Sequence, residues 1–126
     1  MRLLAVDDDA ASAELIVRVA ERCGYEAFAT SDSRGVINLT RALAPDILAV
    51  DINMPNIDAN DLFALLQDIQ YRGQIFIVSG EDEGVLRRTR QTAEERGLRV
   101  VSVQQKPLDF HKLRLMLAGA PLKSVA

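Results

Sequence analysis

Several protein classes are closed to this chain by what it lacks. Its one cysteine, Cys23, has no second thiol within the chain, so no internal disulfide forms, in agreement with a reducing compartment. With that single cysteine and one histidine, His111, it has no cluster of soft ligands for zinc. No apolar run approaches the ~20 residues that cross a bilayer. The start MRLLAVDDD has four apolar residues after Arg2 before the acids begin, too few for a secretory signal core. Repeats, low-complexity segments and interdomain linkers are missing too. The expectation is a cytoplasmic protein with one domain in 126 residues, away from membranes.

Charge is present but unevenly spread. The net charge is −3, with 6 basic and 12 acidic residues in 1–80 and 9 basic and 6 acidic in 81–126. That bias suits an acidic site in one place and a partner surface in another. It is too weak to argue direct nucleic-acid contact.

Apolar runs alternate with helical patterns. RLLAV (2–6), YEAFAT (25–30), DILAV (46–50), QIFIVS (74–79) and LRVVSV (98–103) read as strands. Residues 12–25 carry Leu15, Ile16, Val19, Ala20 and Cys23 at helical spacing, ahead of Gly24. A second helix is opened by Ser31 or Asp32 and ends before Pro45. Residues 60–73 form a third, closed by Gly73; 83–97 a fourth, closed by Gly97; 109–119 a fifth, capped by Asp109. Five β–α units predict an α/β fold with a five-stranded parallel sheet, flavodoxin-like in its order 2-1-3-4-5, and helices on both faces. Such sheets bind ligands beyond the carboxyl ends of their strands.

Those ends carry a consistent chemistry. Asp7 and Asp8 follow the first strand, Asp51 the third and Ser79 the fourth, and Lys106 lies just beyond the fifth. Crowded carboxylates repel one another, and a hard divalent cation relieves them; Mg²⁺ takes one or two carboxylates, waters and a phosphate. An aspartate can also serve as the nucleophile in phosphoryl transfer, with Mg²⁺, an ammonium and a hydroxyl receiving the developing charge. Taken singly, each residue has a plain structural explanation. Asp9 suits a helix cap, Ser79 a loop, and Lys106 or Pro55 a turn. Joint placement on neighbouring strand ends is what favours chemistry.

With VDDD at 6–9, DINMP at 51–55, VSG at 78–80 and KP at 106–107, the chain resembles the receiver domain of two-component response regulators over essentially its whole length. The resemblance implies that Asp51 accepts a phosphoryl group from the phosphohistidine of a histidine kinase or histidine phosphotransfer protein. It implies Mg²⁺ held by Asp7, Asp8, Asp51 and the backbone carbonyl of Asn53. Ser79 matches the switch hydroxyl, Lys106 the cation that pairs with the phosphoryl group, and Lys106–Pro107 a cis bond. Asn53 and Glu81 match two variable positions that tune the lifetime of the phosphoryl group. Residues 1–119 would be the receiver domain and 120–126 a flexible tail or a truncated linker.

Two positions depart from the family's pattern. Val103 stands where an aromatic switch residue is usual, and Ala59 where a glycine is usual, which predicts a shifted backbone angle there. The basic fourth helix is similar to that of receivers joined to cyclic-di-GMP phosphodiesterase domains. Output is expected at the fourth helix, fifth strand and fifth helix, where Arg87, Arg88, Arg90, Arg96, Arg99, His111, Lys112 and Arg114 gather. A solvated charged face with pairs such as Arg90–Glu94 explains the same residues. The implied partners are a downstream protein or a C-terminal output domain, and a second copy in a phosphorylation-dependent homodimer. Against the switch stand two alternatives. One is an aspartate-nucleophile phosphohydrolase, whose nucleophile would follow the first strand. The other is a scaffold, which has no use for mutually repelling acids.

Overall fold

The computed structural model describes residues 1–55 and 58–123. Five parallel strands, β1 (Arg2–Val6), β2 (Glu26–Thr30), β3 (Ile47–Asp51), β4 (Gln74–Ser79) and β5 (Arg99–Gln105), pair in the order β2-β1-β3-β4-β5. The helices are α1 (Ala10–Arg22), α2 (Val36–Leu43), α3 (Ala59–Asp68), α4 (Glu83–Glu95) and α5 (Phe110–Lys123). The expected order and class are the ones found.

Strand alternation divides the core. Leu48 and Val50 of β3 join Leu4, Val6, Ile75 and Ile77 beneath Phe63, Leu66 and Leu86. Ile47 and Ala49 join Leu3, Ala5, Phe76 and Val78 against Ile16, Val19, Leu113 and Leu117. Both faces of β1, β3 and β4 are thus covered, which is why those segments read as unbroken apolar runs. Strand β5 is irregular: Ile75 pairs with Val100 but Phe76 with Ser102, leaving Val101 as an extra residue. After this bulge Ser79 pairs with Gln105, so Lys106 emerges directly at the rim.

Helix starts follow their caps. Asp9 accepts the N–H of Ala11, Asp58 that of Asn60, and Asp82 that of Val85. Asp109 accepts the N–H of Lys112 at 3.0 Å. Ala59 occupies the first position of α3 and is not among the non-glycine residues with positive φ.

Other boundaries need correction. The second helical segment begins as a 3₁₀ turn, Ser33–Gly35, capped by Asp32, before α2. Helix α3 ends well short of Gly73. Gln70 takes a left-handed φ of 56°, and Tyr71 N donates to Leu66 O at 3.0 Å, closing the helix without glycine. Gly73 answers a different need, since a Cβ there would lie 2.2 Å from Tyr71 Oη and 2.8 Å from Pro45 O.

Helix α5 runs through residue 123, so the first part of the segment expected as a tail is helical. Burial explains this: Ala120 is fully enclosed, and its carbonyl accepts Gln74 Nε2 at 3.2 Å. Pro121 has no N–H to give the carbonyl of Leu117. Tyr25 Oη donates to that carbonyl instead, at 2.7 Å. The rest of the expected tail, 124–126, lies outside the described residues.

Candidate functional site

At the carboxyl rim of the sheet, β1, β3 and β5 deliver acids and an ammonium to one point. Asp7 follows β1 and is 2 % exposed, while Asp51 ends β3 and is 4 % exposed. Such burial of two carboxylates is costly unless each is compensated. Lys106 Nζ compensates both, lying 3.1 Å from Asp7 Oδ1 and 3.1 Å from Asp51 Oδ2. Asp9 Oδ2 is 3.9 Å from the same nitrogen, so this acid adds charge to the site besides capping α1. The Lys106–Pro107 bond is cis, as expected.

Asp8 completes the acidic group. It is exposed, and one oxygen from each of Asp7, Asp8 and Asp51 lies within 4.8 Å of the others. Among the described residues this trio is the group that could hold a metal ion. Asp7 Oδ1 receives Lys106 and the N–H of Asp9, but Asp7 Oδ2 is buried without a hydrogen-bond partner. An orphaned carboxylate oxygen within an all-oxygen donor set fits a hard cation such as Mg²⁺.

Burial pushes the Asp7 carboxyl up to about 6, against the Asp9 N–H and Lys106, with the negative charge of Asp51 adding to the rise. Burial also works against the charge on Lys106. Its hydrogen bonds to Asp51 and Asp7 outweigh that and hold its pKa above the ordinary lysine value.

Ser79 is fully buried at the end of β4 and faces a different set of partners. Its hydroxyl oxygen accepts Asn53 Nδ2 at 3.0 Å and the N–H of Glu81 at 2.9 Å. The N–H of Asn53 donates to Asp51 Oδ1 at 2.9 Å, so one residue touches both the acid and the hydroxyl. The backbone of Lys106 is bound to Ser79 O at 2.7 Å. Sequence reasoning overlooked Gln105, whose Nε2 donates to Glu81 O at 3.0 Å. Its only signal was its place directly before Lys106. Ser33 was overlooked as well; its Oγ bonds Pro55 O at 3.2 Å and tethers the loop after β3.

The basic residues expected at the output face do not form one cluster. Arg90 pairs with Glu94 at 3.4 Å, Arg96 Nη1 reaches Gln67 Oε1 at 3.2 Å, and Arg99 Nη1 reaches Arg72 O at 3.4 Å. His111 is exposed on α5. Val103 is half-buried beside Leu86, and both line a cleft of about 520 Å³ between α4 and the β5–α5 connection. Pro107, Arg87, Arg90 and Lys112 also line it.

A family model, the response regulator receiver domain, matches residues 3–118. The chain belongs to this family. This receiver domain is 30% identical over 118 residues, 94% of its length, to the sensor histidine kinase RcsC of Salmonella typhi, and spans 12% of that protein. It is 26% identical over 83 residues, 66% of its length, to the cell cycle transcriptional regulator CtrA of Caulobacter vibrioides, and spans 36% of that one. A response regulator structure from Colwellia psychrerythraea superposes with a TM-score of 0.82 at 25% identity, covering 97% of each chain. The receiver domain's family role is that of a phosphoacceptor in two-component signalling. Among the described residues, no helix is long and apolar enough to cross a membrane.

Proposed function

We propose that Asp51 is the phosphoacceptor and that Asp7, Asp8, Asp51 and the backbone carbonyl of Asn53 hold Mg²⁺. The observation that carries this reading is the position of Lys106, 3.1 Å from a carboxylate oxygen of both Asp7 and Asp51. A carboxylate oxygen of Asp51 forms a bond to phosphorus while the bond from phosphorus to the donor's imidazole nitrogen breaks, its electron pair leaving with the imidazole. Lys106 is placed to neutralise charge on the phosphoryl oxygens, and the Ser79 hydroxyl turns toward them. Bound Mg²⁺ supplies further neutralisation of the transferring group. Strand β3 fixes Asp51 among buried neighbours, so the acceptor is positioned before the donor arrives.

The donor is the phosphohistidine of a histidine kinase or a phosphotransfer protein, in the cytoplasm. Asn53 and Glu81 flank Ser79 and tune the lifetime of the phosphoryl group. The receiver unit, residues 1–119 and the remaining turn of α5, passes the signal through α4, β5 and α5 to a downstream protein, an attached output domain or a second copy. Turnover is confined to transfer onto Asp51 and to hydrolysis, in which a water oxygen bonds to phosphorus while the bond to the Asp51 oxygen breaks, releasing inorganic phosphate and the free carboxylate.

The test is an amide NMR titration with Mg²⁺ and beryllofluoride, an analogue of the bound phosphoryl group. Resonances near Asp51, Ser79 and Lys106 should shift, and Asp51→Ala should remove the response. A silent unmutated protein sinks the reading.

A further inference from the structure

The buried hydroxyl of Ser79 is occupied by two donors, Asn53 Nδ2 at 3.0 Å and Glu81 N–H at 2.9 Å. These fill the two lone pairs of the oxygen. The carbonyl of Glu81 is in turn held by Gln105 Nε2 at 3.0 Å. Three hydrogen bonds therefore run in series from the carboxamide of Asn53, through Ser79 and the backbone of Glu81, to the carboxamide of Gln105. Asn53, Glu81 and Gln105 are exposed residues, and Ser79 between them is buried.

We propose that the carboxamides of Asn53 and Gln105 are positioning groups, the two ends of a latch that keeps the Ser79 hydroxyl and its loop in the resting arrangement. The inference rests on the reading that Ser79 turns toward a phosphoryl group on Asp51. To turn, the Ser79 oxygen must give up at least one of its two donors. Asn53 is already bound through its N–H to Asp51 Oδ1, so chemistry at Asp51 is felt directly by the side chain that restrains Ser79. At the far end, displacement of Glu81 breaks its contact with Gln105 and so reaches β5. An aliphatic Val103 has no polar group with which to carry that coupling, whereas Gln105, two residues on, has one.

The test is a beryllofluoride titration of the full chain with Mg²⁺, followed by amide NMR. It compares the unmutated protein with Asn53→Ala, Gln105→Ala, Gln105→Glu and each of these combined with Ser79→Ala. Before beryllofluoride is added, amides of Gly80, Glu81 and Asp82 in the first three variants should shift along the line joining the resting and saturated positions. The half-saturating concentration should fall about fivefold in each, the population change for one net hydrogen bond. Gln105→Glu preserves size but gives a carboxylate no proton to donate, so it should act like the alanine variant; a role in filling space would leave it silent. In the Ser79→Ala background neither end should matter. Shifts off that line, or unchanged midpoints in variants of a protein that itself responds, overturn the latch. If the unmutated protein does not respond, the phosphoacceptor reading fails and the latch with it.

Discussion

Lys106 Nζ stands 3.1 Å from Asp51 Oδ2 and is itself largely shielded, with 18% of its side chain accessible. The ammonium therefore serves two masters. It neutralises two buried acids while the site is metal-free, and it repels a divalent cation that comes for those same acids. Lys106→Met should lower the melting temperature in EDTA, because buried like charges lose their common partner. A loss of 3–5 kcal/mol is the order expected for breaking a buried pair. Mg²⁺ should stabilise this variant more than it stabilises the unmutated protein. Thermal melts with and without Mg²⁺ check both, and an equal Mg²⁺ increment in the two proteins would refute the second.

The Asp7 carboxyl sets a pH dependence of definite sign. Its pKa rises from 3.8 in the unfolded chain to about 6 in the fold, so the folded state binds the proton more tightly. The cost of the buried charge is fully present above pH 6 and gone below the unfolded value, so this group makes the metal-free protein more stable as pH falls through that window. Exposed acids such as Asp9 and Asp109, with lowered pKa values, act in the opposite direction. The difference between unmutated protein and Asp7→Asn isolates the effect. Asp7→Asn should be the more stable at pH 7, by on the order of 2 kcal/mol, and the gap should close toward pH 4. The same variant should lose Mg²⁺-dependent stabilisation, measured by differential scanning calorimetry.

Tyr25 and Pro121 depend on one another. Because Pro121 cannot bond the carbonyl of Leu117, Tyr25→Phe leaves that buried acceptor empty. The expected loss is about 1–3 kcal/mol of unfolding free energy by urea denaturation. Restoring an N–H with Pro121→Ala should make Tyr25→Phe less harmful, and a purely additive pair would count against the dependence.

Gly73 is a site of close approach. Gly73→Ala would put a methyl group 2.2 Å from Tyr71 Oη and 2.8 Å from Pro45 O. The Tyr71 hydroxyl, now 3.1 Å from Pro45 O and 3.1 Å from Gln74 O, must move. Destabilisation of about 1–3 kcal/mol should appear in chemical melts, with the beryllofluoride response retained because this end of the sheet is opposite the site.

Much of this was readable beforehand, for a physical reason. Parallel strands covered on both faces leave continuous apolar runs, and an acid ending such a run stands out, as Asp7 and Asp51 do. Sheet order follows from crossover geometry, which brings those ends together. What escaped notice depends on contacts invisible along the chain. The glycine at 73 looks like a helix stop but makes room for Tyr71, while Gln70 closes α3. Residues 120–123 look like a tail because a proline interrupts them, and Tyr25, far away in sequence, supplies the missing bond. Gln105 gives no signal beyond its place before Lys106, since a carboxamide on an edge strand means nothing until Glu81 is beside it.

The extra residue in β5 has a consequence for every side chain downstream of it. Val100 and Val103 pack against the same side of the core although three positions separate them, an odd spacing that a regular strand sends to opposite sides. Val101 goes to the other side. The strand thus changes phase once, like a screw thread cut with a single skipped pitch, and Gln105 comes opposite Ser79 because of that skip. Deleting Val101 would remove the bulge and leave a regular strand in which Ser102 still meets Phe76 and Gln105 still meets Ser79, so Lys106 keeps its facing; deleting a residue beyond the bulge, such as Val103, would instead reverse the orientation of all that follow. Insertions and deletions in β5 are therefore not graded in effect. Beyond the bulge, one residue inverts the rim and two restore its facing while displacing it along the sheet, whereas loss of the bulge residue itself leaves the rim as it is.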